Sequence, residues 1–324
     1  MANEPTFEDI LQAYGRINSY IHKTHVLTSR SLDQLCSANI FFKCENFQKT
    51  GSFKIRGVTN AVLMLSPQEA AKGVATHSSG NHAAALAFAA RMRGIKAYIV
   101  MPRSAPPVKR EAVIGYGAEV FFCEPTMEAR EEGLKKILEK TGAVPIHPFD
   151  DFRIISGQGS AALELCESVG KLDAVLAPVG GGGLLSGTAI AVSGTSPGTK
   201  IFGVEPTAAD DAARSFRAGR IIRGTYPHTI ADGLRTNIGS LTFPIIQQRV
   251  TNILTVPEEE IIEAIRLVLE RMKVVIEPSA AVAFAVLVRH RSKIPGKKIG
   301  IIFSGGNIDT SLLINRLRTS CSKQ

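Results

Sequence analysis

One lysine stands out by its company. Lys54 lies in Lys49-Thr50-Gly51-Ser52-Phe53-Lys54-Ile55-Arg56-Gly57, where a helical pattern opens. The positive end of a helix dipole disfavours a cation there. A lysine among Gly and Ser at that point reads as an amine of lowered pKa that can form a Schiff base. A surface lysine is the bland alternative. A second segment, Thr76-His77-Ser78-Ser79-Gly80-Asn81-His82, ends a strand pattern and opens a helix, which brings hydroxyl, amide and N–H donors together. An ordinary N-cap turn would use the same residue types.

Three Gly-rich stretches could cradle a ligand. Pro178-Val179-Gly180-Gly181-Gly182-Gly183-Leu184-Leu185-Ser186-Gly187 directly follows the apolar strand Ala174–Ala177. Consecutive glycines are entropically unfavourable, but they let backbone N–H groups approach an anion at the mouth of the next helix. Gly157-Gln158-Gly159-Ser160-Ala161-Ala162 reads as a second turn of the loose GxGxxA form. The ribose-binding acid expected about 20 residues on would fall in the Gly180 loop, so the dinucleotide reading fails its own context. Ser304-Gly305-Gly306-Asn307 follows the strand Ile299–Phe303, another strand end of the kind where ligands sit in open α/β sheets.

The elements that must position these residues alternate. Apolar strand patterns at Ile40–Lys43, Gly73–Thr76, Ala97–Met101, Glu119–Cys123, Ala174–Val179, Lys200–Val204, Ile253–Val256 and Lys298–Ser304 are separated by helical ones. The helices are expected at Phe53–Leu65, Gly80–Arg93, Ala105–Tyr116, Met127–Lys140, Gly183–Val192, Pro257–Lys273 and Pro278–Arg289. Continuous apolar strands in such a series predict an α/β protein with parallel sheets covered on both faces. The run from 73 to 148 reads as a smaller inserted α/β domain, within a larger one formed by 1–72 and 149–324.

Composition narrows the function classes. The 324 residues are 44% hydrophobic and 21% charged, with a mean hydropathy of +0.09, so the chain can bury a core and is neither disordered nor fibrous. Its net charge of +9 would suit anionic ligands of several kinds. A nucleic-acid or nucleotide module using Arg214, Arg217, Arg220 and Arg223 is the rival from another class, but the chain has no Trp and only 6% aromatics. That arginine run reads as a solvated helical face. Five widely spaced cysteines (Cys36, Cys44, Cys123, Cys166, Cys321) without a CxxC indicate no disulfide framework or zinc site. The uncharged stretch 174–199 has seven Gly and two Pro and breaks into strand, loop and helix. With no signal-peptide pattern, a soluble cytoplasmic protein without a membrane partner is expected.

Taken together, KTGSFKIRG, THSSGNHA, VGGGGLLSG, FGVEPTAADD, IADGLR and FSGGNID, in this order, resemble the fold-type II pyridoxal-phosphate enzymes. Within them the chain is similar to the serine racemase / serine-threonine dehydratase family, on the side of its eukaryotic racemases, from about Ile21 to Asp309. The resemblance implies a large domain with an open, mostly parallel sheet and a smaller inserted one. It implies that Lys54 bonds covalently to pyridoxal 5'-phosphate, with Phe53 beside the ring. Gly180, Gly181, Gly182 and Gly183 then hold the phosphate, Asn81 bonds the phenolic oxygen, and Ser304 faces the pyridine nitrogen. A neutral hydroxyl at that nitrogen makes a weaker electron sink than a carboxylate would, which suits racemisation and β-elimination better than transamination.

The same resemblance implies two proton carriers, Lys54 on one face of the substrate and Ser79 on the other. Simple threonine dehydratases usually read SAGNH at this motif, so the Ser79 hydroxyl favours a racemase, although some 3-hydroxyaspartate dehydratases carry it too. The implied activity is interconversion of L- and D-serine with β-elimination to pyruvate and ammonia. The alternative is a threonine or 3-hydroxyaspartate dehydratase. Ser78, Ser79, Asn81 and His82 would meet the substrate carboxylate at a helix start, and Arg130 would close over it. Glu205 and Asp211, with the Ala209 carbonyl, would bind Mg²⁺ (or Ca²⁺ or Mn²⁺); read alone, the two acids look like helix caps. A homodimer is implied, with ATP as an activator at Lys49, Thr50 and Tyr116. Three positions depart from the family pattern: His25 for proline, Ala84 for a glutamine near the nucleotide site, and Phe149 for an asparagine near the substrate.

Overall fold

Residues 4–78, 80–224 and 227–309 are described by a computed structural model. Ten strands form two sheets. The first has the order β1-β2-β10-β7-β8-β9, from Val26–Leu27, Asn39–Cys44, Lys298–Phe303, Ala174–Pro178, Lys200–Pro206 and Asn252–Val256. All its pairings are parallel except β1 with β2. The second has the order β5-β4-β3-β6, from Glu119–Cys123, Ala97–Pro102, Val74–His77 and Val144–Pro145, and is parallel throughout. The eight strands expected from apolar runs are present. The other two, β1 and β6, have two residues each, too few to show a period.

The strands are as apolar as their surroundings require. Every residue of β4 and β7 is buried, because helices cover both faces of each sheet. The helices are α1 (Phe7–Ile17), α2 (Arg30–Cys36), α3 (Lys54–Leu63), α4 (Pro67–Lys72), α5 (Asn81–Arg93), α6 (Pro107–Gly115) and α7 (Met127–Thr141). They continue as α8 (Phe152–Val169), α9 (Gly183–Thr195), α10 (Asp211–Ala218), α11 (Thr242–Arg249), α12 (Glu258–Met272) and α13 (Pro278–Arg289). Among the described residues, no helix is long and apolar enough to cross a membrane.

Two local expectations are corrected. The stretch Gly157–Ala162 is not a turn; it is the buried middle of α8. Its glycines serve helix crossings. A Cβ on Gly157 would lie 2.6 Å from Gly57 Cα on α3, and one on Gly159 would lie 2.8 Å from Gly187 O on α9. The arginine run is not one helical face either, because Gly219 takes a left-handed conformation and ends α10. Arg214 pairs with Asp210, and only Arg217, Arg220 and Arg223 are exposed.

Composition gave no sign of a charge cluster in the core. Arg56 on α3 donates to both oxygens of Glu45 at 2.6 and 2.8 Å and to both of Glu164 on α8 at 2.9 and 2.8 Å. Lys43 on β2 bonds Glu164 at 2.5 Å and Thr24 O at 2.8 Å. The four charges cancel and their donors are shared out, which is the condition for burying them. The cluster ties the strand before Lys54, the helix that Lys54 opens, and α8 together.

Candidate active site

Four segments converge from the carboxyl ends of parallel strands, where α/β sheets place ligands. Lys54 follows β2 and opens α3, the residues from Ser78 to Asn81 link β3 to α5, the four glycines link β7 to α9, and Ser304–Asn307 follow β10. Hydrogen bonds draw them together. Phe53 N donates to Ser304 O at 3.0 Å, and Gly306 N to Gly51 O at 2.9 Å. Asn307 Nδ2 donates to Thr50 O at 2.7 Å and to Asn81 Oδ1 at 3.0 Å.

Lys54 is the first residue of an uncapped helix; Phe53 before it makes no side-chain cap. Its Nζ donates to Pro148 O at 2.9 Å and stands 5.1 Å from the Phe53 ring centre. Burial holds this amine down at about 8, opposed by the charge of Glu277. An amine so displaced is a far better nucleophile near neutral pH than a surface lysine.

The tetraglycine turn is built for close approach. Gly182 has φ +93°, a left-handed value that favours glycine. A Cβ there would meet Thr242 Oγ1 at 2.7 Å, and one on Gly181 would run into the Phe149 ring. Thr242 Oγ1 donates to Gly181 O at 2.6 Å and fixes the loop from behind. The first N–H groups of α9 have no carbonyl a turn earlier to bond, so they are available to an anion.

The other expected residues fall as follows. Ser304 is 2% exposed at the end of β10. Ser78 N donates to Val100 O at 3.0 Å, and its hydroxyl accepts from Gly80 N at 3.3 Å. His82 is buried, with Nε2 3.0 Å from Ile146 O, so that nitrogen carries the proton and Nδ1 is a bare acceptor without a partner among the described residues. Burial and the Lys54 charge keep the ring neutral. A carboxylate could therefore meet only the backbone N–H of His82, not its ring. Arg130, on α7, is half-buried with Nε unpartnered among the described residues, and burial and then the Arg130 charge lower the pKa of His77 at the end of β3. Ser79 lies outside the described residues.

The acidic pair lies where β8 ends and α10 begins. Glu205 is fully buried; Oε1 accepts from Ala213 N at 2.8 Å while Oε2 has no partner among the described residues. Asp211 accepts from Ile238 N at 2.9 Å. Burial raises both carboxyls, Glu205 well above its ordinary range and Asp211 to about 6. Helix capping accounts for one oxygen of Glu205. The orphaned one fits a hard cation shared with Asp211 and the carbonyl of buried Ala209. Among the described residues, no group of three His, Cys, Asp or Glu side chains could hold a metal, so backbone or water would have to complete such a site.

Two residues escaped the sequence reading. Glu277, the buried residue before α13, binds the Asn81 amide at 2.9 and 3.1 Å. A glutamate before Pro278 reads as a generic helix start, and nothing in its spacing tied it to Asn81. Asp150 accepts from Ser240, Leu241 and Thr242 N at 3.0, 2.8 and 3.1 Å, which holds the loop carrying Pro148 and Phe149 against the turn behind the glycines.

A lysine amine, an anion cradle and an amide donor at the strand ends of two sheets are the groups that an aldehyde cofactor with a phosphate tail requires. The chain belongs to the family of pyridoxal-phosphate dependent enzymes, which matches residues 17–305. It is 51% identical to a serine racemase of Dictyostelium discoideum over 94% of this chain and 96% of that protein. It is 47% identical to a beta-hydroxyaspartate dehydratase of Paracoccus denitrificans, covering 95% and 98% of the two chains. The solved maize serine racemase superposes with a TM-score of 0.94 at 42% identity, over 99% of each chain.

Proposed function

We propose that this protein interconverts L- and D-serine and also eliminates water from serine to give pyruvate and ammonia. The observation that carries the reading is the Lys54 amine, depressed to about 8, opening α3 beside the tetraglycine mouth of α9. Similarity to the racemases supports the substrate. Bound pyridoxal phosphate supplies an electron sink for the carbanion left when Cα loses its proton. In this reading Lys54 holds the cofactor and then, as a free amine, takes or returns the Cα proton on one face. Ser79 does so on the other face. Gly180–Gly183 bind the phosphate and Asn81 donates to the phenolic oxygen. Phe53 packs beside the ring and Ser304 faces the pyridine nitrogen. Ser78, Asn81 and the His82 backbone orient the substrate carboxylate, with Arg130 above it.

The finer parts of the reading are a cytoplasmic homodimer, Mg²⁺ at Glu205, Ala209 and Asp211, and ATP as an activator at Lys49, Thr50 and Tyr116. So is the division into a large domain (1–72 and 149–324) and a small inserted one (73–148), which the two separate sheets support. A threonine or 3-hydroxyaspartate dehydratase is the second reading, the latter favoured by the Paracoccus relative.

One assay decides between them: chiral separation of products, with keto-acid release, after incubation with L-serine, L-threonine or 3-hydroxyaspartate, pyridoxal phosphate and Mg²⁺. D-serine from L-serine is expected. Ser79→Ala should lose at least about a hundredfold of that interconversion, the usual contribution of one acid–base group, while keeping L-serine elimination. Equal loss of both activities would refute the two-face assignment.

A further inference from the structure

Asn81 owes its orientation to a buried acid that precedes a neighbouring helix. Thr50 offers only a carbonyl oxygen, so the Asn307 atom 2.7 Å from it must be the amide nitrogen. The same nitrogen lies 3.0 Å from Asn81, which must therefore present Oδ1 to it. Asn81 then turns Nδ2 toward Glu277, 2.9 and 3.1 Å from the two carboxylate oxygens. Were Asn81 turned over, a carbonyl would face a carboxylate and an Asn307 donor would face an NH₂. An amide nitrogen carries two hydrogens. Glu277 engages one, and the other remains for the cleft.

The acid is built into its place. Glu277 is 2% exposed, and its N–H donates to Gly305 O at 3.0 Å. A Cβ on Gly305 would lie 2.6 Å from Glu277 Oε1. We propose, on the footing of the cofactor reading above, that Glu277 is a positioning residue whose carboxylate aims the Asn81 N–H at the cofactor.

The charged groups acting on it come from three directions. Asp232, in the turn before Arg235, raises its pKa, and Lys109 on α6 lowers it; these two pair with each other. Lys54 on α3 is the cation whose pKa Glu277 raises. Burial is the largest influence and brings the Glu277 carboxyl to about 7. The anion therefore prevails only above neutral pH.

The test uses the full-chain holoenzyme. A lysine-linked pyridoxal should give a visible band near 410–420 nm, roughly, by its chemistry. Its pH midpoint and the pyridoxal-phosphate dissociation constant would be measured for the parent, Glu277→Gln and Glu277→Asp. The Gln variant keeps the shape but loses the charge and can present either end of its amide. Its midpoint should fall by about one pH unit, and its dissociation constant should rise about tenfold. The Asp variant should keep the parent midpoint while binding the cofactor about tenfold more weakly, since its carboxylate is drawn back from Asn81. A dissociation constant unchanged in the Gln variant overturns the proposal. If the Gln variant does not fold, the Asp variant decides alone: an unchanged dissociation constant overturns, and the tenfold rise at the parent midpoint supports. A parent protein with no visible band sinks the cofactor reading itself and is told apart in that way.

Discussion

Lys54 is held in the folded chain against its own preference for charge. Burial brings its amine from the ordinary 10.5 to about 8. Between those values the unfolded chain binds more protons than the folded one, so stability rises with pH across that window and the full penalty applies below pH 8. The amine keeps some access to the cleft, which reduces the penalty to about 1–2 kcal/mol. Lys54→Met, similar in length and uncharged, should therefore stabilise the cofactor-free protein by about that much at pH 7. The gain should fade as pH rises from 8 to 10.5. Urea midpoints at pH 7 and pH 10 check this. A Met variant no more stable than the parent at pH 7 would mean that the amine is solvated in the folded state and not primed as argued. Glu277 shows the opposite shift from the same cause, because burial penalises whichever form carries charge.

At the scale of elements, legibility in the sequence followed period and length. Strands such as Ala174–Pro178 and Ala97–Pro102 are wholly apolar because both sheet faces are covered, and an apolar run is what such a strand looks like on paper. Helix α8 was misread for a physical reason. Gly157 and Gly159 have the look of a turn, and what they provide is the absence of a Cβ where three helices meet. Sequence shows that a residue is small but not what it is small against. Arg56, Glu45, Lys43 and Glu164 were invisible for a related reason: each looks like a surface charge until the fold pairs it. The motifs around Lys54, Asn81 and the four glycines are legible because each is local, a strand end and the helix start that follows. The bond from Asn81 to Glu277, 196 positions apart, was not. Gly157→Ala tests the crossing. The added methyl would lie 2.6 Å from Gly57 Cα and 2.7 Å from Arg56 O, both helix backbone that cannot move aside cheaply. Destabilisation of about 3 kcal/mol is expected, seen as a lower denaturant midpoint at unchanged slope. A neutral alanine would show that α3 and α8 can part without loss.

The whole molecule is organised around contacts between its two sheets. Asn81 and Pro148 stand on segments that leave the four-stranded sheet, after β3 and after β6, while Lys54, Glu277 and Asn307 belong to the six-stranded side. Side chains already link the two sides at separate points, Lys109 with Asp232 and Asn81 with Glu277 and Asn307 among them. A cofactor bonded to Lys54, resting on Gly180–Gly183 and touching Asn81 would join both sheets at once. Binding of that kind stabilises the folded state by an amount set by ligand excess over its dissociation constant, about 2.7 kcal/mol at a hundredfold excess. A rise in melting temperature of roughly 5 °C is expected for a domain of this size. Its distribution is the sharper test. Hydrogen exchange should slow together in 49–57, beside the six-stranded sheet, and in 76–84, beside the four-stranded one, because a bridge cannot order one bank without the other. Protection confined to one of these segments on adding pyridoxal phosphate would place the cofactor on a single sheet. The convergence of four strand ends would then be a feature of packing and not of catalysis.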